Sequence, residues 1–215
     1  MDDSTSGGGA APAHWDKVYA ERTLSELSWF EPEPTMSLEV IESLGLDPAA
    51  PIVDVGGGAS SLVDALLERG HLDLTVLDLS AVALRAARDR IGRRSSMVHW
   101  AATDLREWRP TRRYRLWHDR AVFHFLVDPA DRKHYRDLLV RGVEPGGFVL
   151  LATFAPDGPP RCSGLPVARY DADGLATAIG PGFTAVSARH EVHRTPAGAD
   201  QPFTWLLLRH DHDPS

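Results

Sequence analysis

From Ala49 onward, short apolar runs alternate with stretches whose apolar residues recur at helical spacing. Pro51-Ile-Val-Asp-Val-Gly56 reads as a short strand ending in glycines. Leu62, Val63, Leu66 and Leu67 then share one helical face, and Gly70 suits the residue just past a helix end. Leu72 to Asp78 is a second strand; Ser80 then caps a helix with a stripe of Leu84, Ala87 and Ile91 that ends at Gly92. Met97 to Thr103 and Tyr114 to Asp119 are the third and fourth strands. Asp128-Pro129-Ala130-Asp131 combines a capping side chain, a proline at the first helical position and an acid in the first turn. The helix behind it buries Tyr135, Leu138 and Leu139 and stops near Gly142. Phe148 to Phe154 is nearly all apolar, as suits a strand covered on both faces.

Strands separated by helices imply right-handed crossovers and a mostly parallel sheet. After it, Ala155 to Arg169 reads as a long Pro/Gly-rich loop and Asp171 to Ile179 as a short helix. Phe183 to Val192 and Phe203 to His210 read as a hairpin joined by Thr195-Pro-Ala-Gly-Ala-Asp200. Before the core, Ala13 to Arg22 and Met36 to Leu44 are helical, with the aromatic linker Trp29-Phe30-Glu31-Pro32 between them. The expectation is a Rossmann-like, doubly wound α/β fold. Its sheet is mostly parallel and seven-stranded, and it ends in an antiparallel C-terminal hairpin. Residues 1–11 read as a disordered tail, 12–48 as a helical and aromatic lid, and 49–212 as the main body of one globular domain.

Composition narrows the function. A net charge of −7 over 215 residues disfavours a large phosphate-binding surface, so no nucleic-acid partner is expected. Cys162 is the only cysteine, which rules out an intrachain disulfide and leaves no cysteine-based metal site. No metal site is read. No apolar run approaches the roughly 20 residues of a membrane span, so the expectation is a cytoplasmic protein without a membrane partner.

The chemistry gathers at strand ends. Val53-Asp-Val-Gly-Gly-Gly-Ala-Ser60 turns the first strand into the first helix, where glycine lets a ligand approach the backbone. Asp78 ends the second strand, where a carboxylate can accept from two ribose hydroxyls. Asp104 follows the third strand, within reach of an adenine edge. A dehydrogenase would carry a third glycine in the pattern Gly-x-Gly-x-x-Gly, but Gly56 and Gly58 are followed by Ala59, Ser60 and Ser61. After the fourth strand come Asp119, Arg120 and His124. Asp119 is read as the group that positions or deprotonates an acceptor, with His124 either a packed side chain or a proton shuttle.

These residues make the chain resemble the class I S-adenosylmethionine (SAM)-dependent methyltransferases. Asp54, Gly56 and Gly58 match the family's acid-x-Gly-x-Gly loop, with Ser60 where a further glycine is common. The resemblance implies SAM as cofactor. It puts Gly56 and Gly58 against the methionine part, Asp78 on the ribose, Leu79 on the adenine and Asp104, followed by Leu105, at the adenine amino group. Trp15-Asp16-Lys17-Val18-Tyr19 is similar to a helix that folds over SAM in such enzymes, which implies Tyr19 at the cofactor carboxylate and Trp29 as a wall against water. Trp117 to His124 resembles a segment of the methyltransferase-like enzymes that modify elongation factor 1A. Asp119 and Arg120 match its acid and base, and His124 stands in place of its second acid. Arg161 to Tyr170, with His190, His193, Arg194 and Gln201, is a further candidate for the acceptor pocket. A small-molecule acceptor is favoured, its reacting atom S, Se, O or N; a protein lysine acceptor and a non-catalytic SAM-binding module are the alternatives. Oligomeric state is not legible.

Overall fold

The structure, a computed structural model, describes residues 12–211; the segment read as a disordered tail lies outside them, as does residue 212. The helices are α1 (Pro12–Glu21), α2 (Thr35–Ser43), α3 (Leu62–Glu68), α4 (Ala81–Ile91), α5 (Pro129–Gly142) and α6 (Ala172–Ile179). The strands are β1 (Ile52–Val55), β2 (Leu74–Asp78), β3 (Val98–Ala102), β4 (Tyr114–Arg120), β5 (Val143–Phe154), β6 (Arg161–Cys162), β7 (Leu165–Pro166), β8 (Phe183–Arg194) and β9 (Asp200–His210). Seven of them form one sheet in the order β3-β2-β1-β4-β5-β9-β8. β1 to β5 pair in parallel, and β9 lies antiparallel between β5 and β8. The expected seven-stranded, mostly parallel sheet with a C-terminal hairpin is the sheet observed. None of the described helices is long and apolar enough to cross a membrane.

Local signals act where the sequence places them. Ser80 Oγ accepts from Ala83 N at 3.1 Å, Asp128 Oδ1 from Ala130 N at 2.7 Å and Asp171 Oδ1 from Gly174 N at 2.7 Å, each meeting an orphan donor in the first turn of a helix. Two readings need correction. The stretch read as a loop from Ala155 to Arg169 contains the two-residue strands β6 and β7, too short to show alternation. β5 begins at Val143, five residues before the apolar run, because Tyr114 pairs with Val143 across an irregular register.

Side chains on successive strand residues point to opposite faces, and this sorts the core into two layers. On one face Ile52, Leu116 and Leu150 pack with Leu38 and Ile41 of α2, Leu62 and Leu66 of α3 and Leu84 of α4. On the other, Val53, Val55, Trp117 and Val149 pack with Tyr135, Leu138 and Leu139 of α5 and Leu175 and Ile179 of α6. Asp119 belongs to the second face. Its Oδ2 accepts from Tyr135 Oη at 2.6 Å, and Tyr135 Oη in turn accepts from Trp117 Nε1 at 3.0 Å. Its Oδ1 accepts from Val122 N at 2.9 Å, fixing the turn after β4.

This chain ties α5 to the sheet without exposing a polar atom. Tyr135→Phe leaves Trp117 Nε1 without a partner in a dry core and takes the 2.6 Å bond from Asp119 Oδ2, which keeps only the longer one from Phe123 N at 3.2 Å. The substitution is expected to cost about 1–3 kcal/mol of stability, read by denaturant unfolding. A loss within a few tenths of a kcal/mol would show that the hydroxyl does not hold the layer.

Candidate functional site

The carboxyl ends of the parallel strands open into two adjoining cavities that share Tyr19, Trp29, Gly56 and Arg120. The first encloses about 580 Å³ and is lined by Asp54, Ser60, His118, Ser37 and Glu31, among others. The second encloses about 1020 Å³ and is lined by Asp78, Leu79, Asp104, Leu105, Val122 and Phe125, among others. Ligands bind at this edge in open α/β sheets because the strand order reverses there; in this sheet β1 has β2 on one side and β4 on the other.

The glycine loop makes the space. Gly56 has φ +71° and Gly58 φ +42°, a region that favours glycine. A Cβ on Gly56 would collide with Val122 Cγ2, and one on Gly57 would collide with Asp54 Oδ2. A Cβ on Gly58 would stand 2.8 Å from both Asp78 Oδ2 and Tyr19 Oη. All three positions are thus pressed by other site elements. Arg90 of α4 steadies the loop from outside, donating to Ala59 O at 2.8 Å and Ser60 O at 2.6 Å. Ser60 Oγ accepts from Leu62 N at 3.1 Å.

Asp78 ends β2 with Oδ1 accepting from Ser80 N at 2.7 Å. Burial pushes its carboxyl up to about 7, with the nearby Asp54 adding to the effect. Tyr19, over the loop, is driven upward by burial and then by Asp78. Asp104 is in the second cavity, but Arg106 forks onto its carboxylate, Nε at 3.1 Å from each oxygen and Nη2 at 2.5 Å from Oδ2. Burial raises the Asp104 carboxyl; the Arg106 hydrogen bonds outweigh it and hold the group below its usual range.

Aromatic side chains line the second cavity beside the loop. Trp15 meets Trp29 edge-on at 5.8 Å and Phe125 at 5.4 Å between centroids, and Tyr19 meets Trp29 at 6.0 Å. Polar bonds anchor this cover. Ser80 Oγ donates to Asp16 Oδ1 at 2.6 Å, joining α1 to the start of α4. Arg120 Nη1 donates to Trp29 O at 3.1 Å and Nη2 to Glu31 Oε1 at 2.9 Å, while its guanidinium lies 4.9 Å from the Phe203 ring centroid. His193 Nε2 donates to Ser28 O at 2.8 Å.

Of the residues named from the sequence, Tyr19, Trp29, Asp54, Gly56, Ser60, Asp78, Leu79, Asp104, Leu105 and Arg120 all line the cavities. Gly58 stands directly behind them. Asp119 and His124 do not, which corrects their reading as catalytic groups and that of Asp119 as a cofactor contact. Asp119 is 0% exposed and turned beneath the sheet, its carboxyl raised to about 6 by burial against its hydrogen bonds from Tyr135, Val122 and Phe123. The strand-end argument put its Cα at the right edge but ignored which face the side chain takes. His124 is also 0% exposed, wedged beside Phe125 and Phe154 with Nδ1 accepting weakly from Phe154 N at 3.4 Å. Burial pushes it down to about 3, with Arg120 adding to the effect, so it is neutral at ordinary pH. Of the loop and hairpin candidates, Cys162 reaches the second cavity and His193 the anchored linker, while His190, Arg194 and Gln201 line neither cavity.

Sequence reading missed Ser37, Glu31, Arg90, Val122 and His118 as site elements. None carried a local signal; His118 reaches the site because β1 and β4 pair in parallel with Asp54 opposite it. Ala121, in the second cavity, has φ +70° without being glycine, a strained turn that carries the chain from Arg120 to Val122.

Comparison with known proteins agrees with this geometry. Residues 52–147 match the family model of the methyltransferase domain. A search of curated proteins finds no match. Among solved structures, one reported for the conversion of a disulfide bond into a thioacetal group during echinomycin biosynthesis is 20% identical, with TM-score 0.74 and coverage of 94% of each chain. The N-methyltransferase NodS from Bradyrhizobium japonicum WM9, in complex with S-adenosyl-L-homocysteine (SAH), is 20% identical with TM-score 0.67, covering 91% of this chain and 97% of its own. The 1,6-didemethyltoxoflavin-N1-methyltransferase of Burkholderia thailandensis, with its substrate and SAH, is 20% identical with TM-score 0.67, covering 98% of this chain and 97% of its own. These structures share the fold, and the segment matched by the methyltransferase-domain family model runs from β1 to the start of β5, glycine loop included.

Proposed function

We propose that this protein is a SAM-dependent methyltransferase acting on a small-molecule acceptor. The observation that carries the reading is the side-chain-free loop Gly56–Gly58 between two cavities, with Asp54 at one and Asp78 at the other. These residues fit the cofactor: the loop has no room for a Cβ against Val122, Asp54, Asp78 and Tyr19, one oxygen of Asp54 has no partner among the described residues, and Asp78 ends the neighbouring strand as a ribose-type acceptor. Two neighbours of the same fold are N-methyltransferases crystallised with SAH, one of them also with 1,6-didemethyltoxoflavin bound, which supports the same chemistry here. When bound, SAM supplies a methyl group on a positively charged sulfur that is already a good leaving group.

Asp54 faces the methionine end, Asp78 the ribose, and Leu79 and Leu105 the adenine, with Asp104 held by Arg106 at that edge. Of residues 12–48, the segment from α1 to the aromatic linker acts as a lid, while α2 is packed in the core. Trp15, Tyr19 and Trp29 exclude water, and their faces favour a cation. Holding the reactants in line can lower the barrier by roughly 7–11 kcal/mol. Polar groups beside Arg120, which lines both cavities, include Tyr19 and Cys162. Burial raises Tyr19, and raises the Cys162 thiol to about 11, while Glu31 is engaged by Arg120. Tyr19 and Cys162 therefore keep their protons at neutral pH. We read the acceptor as one whose nucleophile needs no proton removal by Tyr19 or Cys162, with Arg120 supplying a fixed positive charge beside it. The resemblance to enzymes acting on elongation factor 1A rests on Asp119 and Arg120, of which only Arg120 faces the cleft.

Labelled methyl from SAM, incubated with the protein and fractionated cell extract, is expected to appear in the small-molecule pool. Label confined to protein would favour a lysine acceptor, and no transfer to either pool would leave a SAM-binding module.

SAM affinity is expected to rise with pH and level off above about 7, because the ionised Asp78 accepts from ribose hydroxyls better than the acid and its carboxyl sits at about 7 in the free protein. Binding then releases a proton below that pH. Asp78→Asn is expected to flatten the profile at reduced affinity, by calorimetry from pH 5.5 to 8.5 at about 0.5-unit steps. A flat wild-type profile would remove Asp78 from the cofactor.

Hydrogen exchange at Ser28 to Glu33 is expected to slow when SAM or SAH is added, because Trp29 lines both cavities. Equal exchange with and without ligand would reduce the lid to ordinary packing.

A further inference from the structure

A buried relay of three side chains backs the first cavity. His118 Nδ1 lies 2.7 Å from Asp54 Oδ1, and His118 Nε2 lies 3.0 Å from Ser37 Oγ. Ser37 is 1% exposed, His118 3% and Asp54 5%. The three come from α2, β4 and β1, and the parallel register sets Asp54 beside His118 on the same face of the sheet. A carboxylate only accepts, so Nδ1–H donates to Asp54; in the neutral ring Nε2 then accepts the Ser37 hydroxyl proton. This consumes one Asp54 oxygen. The other, Oδ2, is buried and has no partner among the described residues. It lies against the backbone of Gly57, where a Cβ would collide with it. An unpaired carboxylate oxygen in a buried wall is costly unless something positive meets it.

We propose that His118, backed by Ser37, is a positioning residue that holds Asp54 with Oδ2 free to meet the ammonium group of the cofactor's methionine moiety. The inference rests on the SAM reading above and adds a division of labour within it. Asp54 makes the contact, His118 fixes its rotamer, and Ser37 holds the orientation of the ring. Spacing of this kind also occurs in hydrolases, but here Ser37 is nearly sealed and its hydroxyl is engaged by the imidazole. Two neighbouring charges bear on the same cavity, Glu31 and Arg120, and they are already bonded to each other.

The test compares two ligands that differ only in the amino-acid portion. SAH carries the ammonium group, and 5′-methylthioadenosine keeps the nucleoside and sulfur without it. In calorimetry, His118→Gln, whose amide reaches towards Ser37 rather than Asp54, is expected to weaken SAH by about tenfold or more. It should leave 5′-methylthioadenosine within about twofold, which also reports that the variant is folded. His118→Asn places an amide donor near the Nδ1 position and is expected to recover most of the SAH affinity. Equal weakening of both ligands, or no weakening of SAH, would overturn the positioning role while leaving the cofactor reading intact. A wild-type protein that binds neither ligand would overturn both.

Discussion

Three consecutive residues without side chains are the constraint on which the site depends. Gly56, Gly57 and Gly58 each have a neighbour where a Cβ would stand: Val122 from the turn after β4, Asp54 from β1, and Asp78 with Tyr19 from β2 and α1. The loop is therefore the point at which β1, β2, β4 and the N-terminal helix meet. A single methyl group there would push one of these elements away and close the space a ligand needs. Arg90 completes the arrangement by binding the carbonyls of Ala59 and Ser60 from the far side.

The sheet distributes polar groups by face as strictly as it distributes apolar ones. Along β4, Leu116 and His118 face α2 and α3, while Trp117 and Asp119 face α5. His118 thereby meets Asp54 in the wall of the cavity, and Asp119, one residue on, is committed to Tyr135 and the following turn. Adjacent ionisable residues at one strand end thus have separate tasks, one in the site and one in the scaffold. The scaffold task still bears on the site: Asp119 holds Val122 N, and Val122 is the side chain that presses on Gly56.

The cover over the cleft is joined to the core by polar bonds as well as by ring contacts. Asp16 meets Ser80, Trp29 and Glu31 meet Arg120, and Ser28 meets His193. These contacts come from α4, β4 and β8, so the segment from α1 to the linker is fastened at separated points around the cavities. Segments attached by a few hydrogen bonds open at lower cost than a packed core, which suits the lid role proposed for this cover. Arg120 is central here, since one guanidinium holds two linker residues and rests on Phe203.

The sequence by itself determined the alternation of strands and helices, the capping at Ser80, Asp128 and Asp171, the glycine loop, and the cavity positions of Asp54, Asp78, Leu79, Asp104, Tyr19 and Trp29. The elements, caps, glycine loop and strand-end acids follow from local periodicity, turn chemistry and strand ends, which nearby residues dictate, whereas the places of Leu79, Tyr19 and Trp29 came from the family resemblance. Tertiary structure decided what depends on strand register and side-chain face. The pairing of Asp54 with His118 spans 64 residues, and that of His118 with Ser37 spans 81, so no local pattern announces either. Face also separated Arg120, which lines the cleft, from Asp119, which sits beneath the sheet, and burial decided that His124 is a neutral packing group. The physical reason is the two-residue period of a strand: position along the chain brings a residue to the edge of the sheet, but only its register and its neighbours decide whether the side chain meets a ligand or the core.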